Sequence, residues 1–249
     1  MITSPDNPQI RDLKKLTTRK YRRRLNRFLV DDPKTIREGI AAGHQPEAIY
    51  TCLPDQQDLF PDSILVDEKL LAPLSDQPSF SGWMAVFPIP QPGPNHVTAR
   101  SLILEVVQDP ANLGTICRSA ALFGIDTVWM TPGCADPFSL KVIRSAKGAI
   151  FRLNLVRETL EGILTLLDNN GVPVVAADTR AGLGLDELPE LNLFGLALGS
   201  EGHGITETLR NACTHTVTIR TSDVLESLNV SAAAAILLHH LYNHQSPKQ

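Results

Sequence analysis

From Ser101 onward the sequence alternates short aliphatic runs with segments of helical period, and this alternation constrains the fold most. "SLILEVV" (101–107) is apolar at nearly every position, as in a strand covered on both faces. A helix over 112–123 follows, then "DTVWMT" as a strand, then a Gly/Pro/Asp turn leading to "SLKVIRSAKGAI". "FRLNLV", "VPVVAAD", "LFGLALG" and "TVTIR" give further strands, separated by the helix "ETLEGILTLLDNNG", a glycine-rich turn and a short helix. "SLNVSAAAAILLHHLYNH" closes the chain as a helix. The class implied is α/β: a mainly parallel sheet covered by helices, taking ligands in loops beyond the strand carboxyl ends.

Residues 1–90 read as a smaller α/β unit. A basic helical segment comes first, then a helix ended by Gly43, a strand near 48–52, and "SILVDEKLLAPLSD" as strand then helix. "WMAVFPI" is its last strand. "PIPQPGPNHVTAR" then places four prolines in a few residues, which stops regular structure. The expected division is therefore 1–90, a linker at 91–100, and a second domain at 101–249.

The net charge of −4 conceals an asymmetry. Residues 1–37 hold 11 Lys/Arg against 4 Asp/Glu, and the remaining 212 hold 12 against 23. The densest stretch, "RDLKKLTTRKYRRRLNR", is either a solvated helix face or a polyanion contact, since lysines and arginines on phosphates release counterions. Read as the second, it nominates Arg19, Lys20, Arg22, Arg23 and Arg24 as nucleic-acid-binding residues. Cys52, Cys117, Cys134 and Cys213 are scattered, with no zinc-ligand spacing, so no metal is expected and the thiols should be free. There is no run of about 18 apolar residues and no apolar N-terminal signal core. A cytoplasmic protein without a membrane span is the expectation.

Three clusters in the second domain carry polar groups where chemistry could occur. In "DPANLGTICRSAALFGID" a helical wheel from Asn112 puts Asn112, Thr115, Arg118 and Ser119 on one arc, with only Leu122 among them, and the other apolar residues on the opposite arc. Arg118 thus faces outward, which suits an idle surface residue as well as a functional one. Asn112 and Gly114 would offer backbone N–H groups beside it. "LALGSEGHGI" ends a buried strand in a glycine turn, with Glu201 placed near the start of the next helix. It lacks the GxGxxG spacing of a dinucleotide site, so a nucleotide-dependent oxidoreductase is remote. The third is "ESLNVSAAAA", read as a helix beginning at Ser227, with Ser227 as cap and Asn229 in its first turn.

Together NxGxxxR, GSEGxG and ESLNVSxAxA, in this order, resemble the three motifs of the SpoU/TrmH ribose methyltransferases, of the SPOUT or α/β-knot class. The resemblance covers residues 101–245, including "CADPFSLKVIRSAKGAIFRL"; residues 1–90 more loosely resemble a substrate-binding domain. It implies S-adenosylmethionine (AdoMet) as methyl donor, an RNA ribose 2′-hydroxyl as acceptor, a C-terminal trefoil knot, and a homodimer through the knot helices. The matching functional positions are Asn112, Arg118, Glu201, Ser227 and Asn229, and Gly199, Ile219 and Leu228 match positions that hold AdoMet. The sequence departs from the family pattern after its last strand, where Arg220, Thr221 and Asp223 replace Pro, a hydrophobic residue and Gly. Ribosomal RNA is the favoured substrate. The alternatives are tRNA, a resistance-conferring rRNA methylation, and a non-catalytic RNA-binding or assembly factor of the same fold.

Overall fold

Two compact units make up the chain: Met1–Pro90 with Asp136–Phe151, and Gln91–Ala135 with Arg152–Gln249. The structure, a computed structural model, describes residues 1–91, 99–178, 182–222 and 228–244. Residues 92–98 of the expected linker lie outside the described residues.

The first unit opens with α1 (Pro8–Leu16), where Asn7 accepts a hydrogen bond from the N–H of Gln9 and proline takes the first helical position. Ile10, Leu13 and Leu16 are buried along one stripe, leaving Arg11, Lys14 and Lys15 exposed. Then come α2 (Arg19–Leu25), β1 (Arg27–Val30), α3 (Pro33–Ala41), β2 (Ala48–Thr51), β3 (Ile64–Leu65), α4 (Glu68–Leu71) and β4 (Trp83–Pro88). The sheet order is β1-β4-β2-β3, with β2–β3 its one parallel pair.

The chain continues through β5 (Arg100–Leu104), α5 (Pro110–Leu122), β6 (Thr127–Met130), α6 (Leu140–Ala146), β7 (Asn154–Arg157), α7 (Leu160–Asn169) and β8 (Val174–Ala177). It ends with β9 (Phe194–Leu198), α8 (Glu207–Ala212), β10 (His215–Val217) and α9 (Val230–Asn243). The second unit's six strands are all parallel, in the order β10-β8-β9-β5-β6-β7. This is the α/β architecture expected from the alternation. The expected knot would involve the connection from β10 to α9, whose residues 223–227 lie outside the described residues.

The structure corrects the domain division. Asp136–Phe151, expected within the second domain, packs with the first. Arg22 donates through Nε and Nη2 to Asp136 Oδ2 at 2.9 and 2.6 Å, and through Nη1 to the Leu16 carbonyl at 2.9 Å. Arg144 donates to the fully buried Asp31 at 3.1 Å and also pairs with Asp76. The Phe151 ring sits 4.9 Å from that of Phe87, 5.9 Å from Phe28 and 5.2 Å from His44. Gly39 is glycine because a Cβ there would come within 2.8 Å of the Phe151 ring. Arg22 is thus buried in an ion pair, not displayed to RNA; Arg19, Lys20, Arg23 and Arg24 are exposed.

Candidate functional site

The second unit's strand order fixes where a ligand crevice can form. β5 connects outward to β6, whereas its neighbour β9 connects past β8 to β10, so their loops diverge at the carboxyl edge. In open parallel sheets that divergence leaves the binding crevice. The segments after β5 and β9, and the start of α9, deliver Asn112, Glu201 and Asn229 to one place. Asn229 Nδ2 donates to Asn112 Oδ1 at 3.1 Å, and Asn112 Nδ2 donates to Glu201 Oε1 at 2.9 Å. Residues 117 and 89 positions apart are joined in one hydrogen-bonded chain.

Arg118 lies on α5 six residues beyond Asn112, or about 9 Å along the axis. It is exposed, as the wheel indicated, and among the described residues no hydrogen bond or ion pair involves it. Its neighbour Cys117 is fully enclosed, and burial pushes that thiol up to about 12, so no thiolate stands beside the arginine. Arg118 is the one charged residue within α5.

Several local expectations are corrected. α5 begins at Pro110, and Asp109 caps it, accepting from the N–H groups of Ala111 and Asn112 at 2.8 Å each. Of the two N–H groups expected to be offered beside Arg118, those of Asn112 and Gly114, the first is thus already bound. β5 ends at Leu104, before Glu105, and β10 ends at Val217, so Ile219 stands in the half-buried segment beyond it. α8 starts at Glu207, so Glu201 is not a helix-dipole residue but the terminus of the Asn–Asn chain. α9 starts at Val230 and its cap is Asn229, not Ser227; Ser227 lies outside the described residues. Gly199 is buried, and a Cβ on it would lie 2.0 Å from the Gly204 carbonyl carbon. The close approach that requires glycine here is to the chain's own backbone.

Two acidic residues outside the expected set, Asp109 and Glu105, support the site. Asp109 had a visible signal, since Asp followed by Pro opens a helix by capping and pre-set φ. Glu105 is 4 % exposed and accepts from the N–H of Thr206 at 2.8 Å and its hydroxyl at 2.7 Å. It ties the end of β5 to the cap of α8 and so braces the loop that carries Glu201. A lone acid inside an apolar run was the clue, because buried charge requires partners.

The SpoU rRNA Methylase family model matches residues 99–239, and an MRM3-like substrate binding domain matches residues 7–85. The chain belongs to the SpoU rRNA methylase family. It is similar to the 23S rRNA (guanosine(2553)-2'-O)-methyltransferase RlmP of Bacillus subtilis, 32% identical over 96% of this chain and 98% of that one. A crystal structure of an RNA 2'-O ribose methyltransferase superposes with a TM-score of 0.83 at 28% identity, covering 98% of both chains. The SpoU methyltransferase AviRb from Streptomyces viridochromogenes, solved with AdoMet, has the same fold: TM-score 0.86, 22% identity, 95% of this chain and 97% of that one. Among the described residues no helix is long and apolar enough to cross a membrane.

Proposed function

We propose that this SpoU-family RNA methyltransferase transfers a methyl group from AdoMet to the 2′-hydroxyl of a ribose in ribosomal RNA. The observation that carries the reading is the joining of Asn112, Glu201 and Asn229 in the crevice, with the exposed Arg118 on the same helix as Asn112. The likeness to the B. subtilis 23S rRNA enzyme over nearly the whole chain supports ribosomal RNA as substrate. The donor set fits AdoMet in part: Leu228, next to Asn229 in the chain, is an apolar side chain left 39% exposed for a ligand to cover. Gly199, Ile219 and Leu228 are the residues that would hold it. When bound, AdoMet supplies an electrophilic methyl group.

The remaining chemistry belongs to side chains. A guanidinium very rarely gives up its proton, so Arg118 acts through charge and fork geometry. It grips the phosphate beside the target ribose and stabilises the oxygen as its proton leaves to that phosphate or to water. Asn112 and Asn229 orient the ribose. Ser227 is the remaining position that matches the family's functional set. Arg19, Lys20, Arg23 and Arg24 hold the RNA backbone from the first unit. A second copy of the chain covers the apolar side chains of Leu122, Ile236 and Tyr242 on α5 and α9, giving a homodimer, and the enzyme works in the cytoplasm.

Incubation with labelled AdoMet and total RNA from an unmodified strain tests this. Label should enter ribosomal RNA and survive alkaline hydrolysis as a 2′-O-methylated dinucleotide. Label on a base overturns the reaction type, and label confined to tRNA overturns the substrate. Binding of AdoMet without transfer to any RNA would favour a non-catalytic RNA-binding factor.

A further inference from the structure

The hydrogen-bonded chain in the crevice has a direction, and the direction originates at α9. Asn229 Oδ1 receives two donors from Ser231, its N–H at 2.8 Å and its hydroxyl at 2.6 Å. Turning that amide over would set Nδ2 against a backbone donor, so Nδ2 must face Asn112 instead. It meets Asn112 Oδ1 at 3.1 Å, which turns the Asn112 amide so that Nδ2 reaches Glu201 Oε1 at 2.9 Å. An ionised carboxylate only accepts, so the far end demands the same polarity as the near end. A flip at either amide would leave two donors or two acceptors face to face.

We propose that Asn229 is a positioning residue that imposes the polarity of α9's first turn on Asn112 and Glu201, fixing how they receive a ribose hydroxyl. This rests on the activity proposed above. Each amide nitrogen retains a second hydrogen, and Glu201 retains its second oxygen, Oε2. A hydroxyl, donor and acceptor at once, suits that mixed set. Groups oriented in advance need no rearrangement as charge develops on the oxygen. Capping alone does not require this arrangement, because aspartate caps a helix as well as asparagine does.

That equivalence supplies the test. Asn229→Asp keeps the bonds from Ser231 but cannot donate to Asn112, whose amide must turn over and set its oxygen against Glu201. Methylation of ribosomal RNA from an unmodified strain should lose on the order of tenfold to a hundredfold in kcat. The KM for AdoMet and the melting temperature should hold. Glu201→Gln alone can keep the original polarity by presenting its oxygen, so it should lose less. The pair Asn229→Asp with Glu201→Gln rebuilds a complete chain of opposite polarity, and should recover part of what Asn229→Asp lost. Full activity in Asn229→Asp, or a pair no better than that single variant, overturns the proposal. If the wild-type protein labels no RNA, the fault lies with the proposed activity. The polarity is then judged by the side-chain amide resonances of Asn112, which Asn229→Asp must shift; unshifted resonances overturn it.

Discussion

α2 and α5 carry arginines that the sequence presents in opposite ways. In α2 the run Arg22–Arg23–Arg24 invites a reading of uniform display to a polyanion, yet Arg22 is 6% exposed and held by Asp136 and the Leu16 carbonyl. In α5 a single arginine among small and apolar residues looks incidental, yet Arg118 is exposed, on the same helix as Asn112. The difference lies in partners distant in sequence. Asp136 is 114 residues from Arg22 and neutralises it; Glu201 and Asn229 come to Asn112 and leave Arg118 outside their network. The density of a charge type on a helix therefore says little about its duty. What decides is whether the fold brings a counter-charge to it.

Exchanging the two duties breaks the comparison if it is wrong. Arg118→Ala should reduce methylation by about a hundredfold to a thousandfold, as when one oxyanion-stabilising group is removed. Its melting temperature should not change, because substitutions at exposed positions of this kind stay within about 0.5 kcal/mol. Arg22→Ala should do the reverse. It leaves Asp136 with 13% side-chain exposure and no cation, and the loss of stability in a denaturant titration should be about 3 kcal/mol. RNA affinity measured well below the new melting point should hold. If Arg22→Ala weakened RNA binding while leaving stability intact, the buried pair would not be the reason for that arginine. Alanine at Arg19, Lys20, Arg23 or Arg24 should act more mildly, each lowering the slope of log affinity against log salt by about 0.7 on single-stranded RNA. Arg22→Ala should leave that slope unchanged.

The same contrast explains what could be read in advance. Strands such as Phe194–Leu198 were legible because their apolar side chains are buried on both faces, which needs no long-range information. "SLILEVV" was read too far because Val107 is fully buried although it lies beyond the strand; apolar character reports burial, not strand geometry. The segment Asp136–Phe151 has buried Val142, Ile143 and Ala146 at helical spacing, but spacing does not say which core they fill. Gly39 and Arg22, which receive Phe151 and Asp136, lie more than a hundred positions upstream. In the crevice the residue types were legible from the motifs, whereas their bonds were not. Asn229 was expected inside the first helical turn and is instead the cap, two residues beyond the expected one, with its amide donating to Asn112.

The smallest expected effect concerns how α5 is held. The first unit fixes Arg22 with an ion pair; the second leads into the helix of Arg118 through a strained backbone. Val106 has φ of 58°, a left-handed conformation that a β-branched residue very rarely adopts. Its N–H donates to Thr131 Oγ1 at 3.1 Å, which holds it there. A left-handed conformation costs an L-residue roughly 1–2 kcal/mol, and glycine escapes that cost while losing about 0.5–1 kcal/mol of chain entropy. Val106→Gly should therefore raise the melting temperature by about 1–4 °C, given the usual 2–4 °C per kcal/mol for a chain of this size. Val106→Ala removes most of the same side chain but keeps a Cβ, and so keeps the strain; it should gain nothing. The difference between the two variants isolates the backbone contribution from lost packing. Equal destabilisation by both would mean that the side chain, not the conformation, matters at this turn.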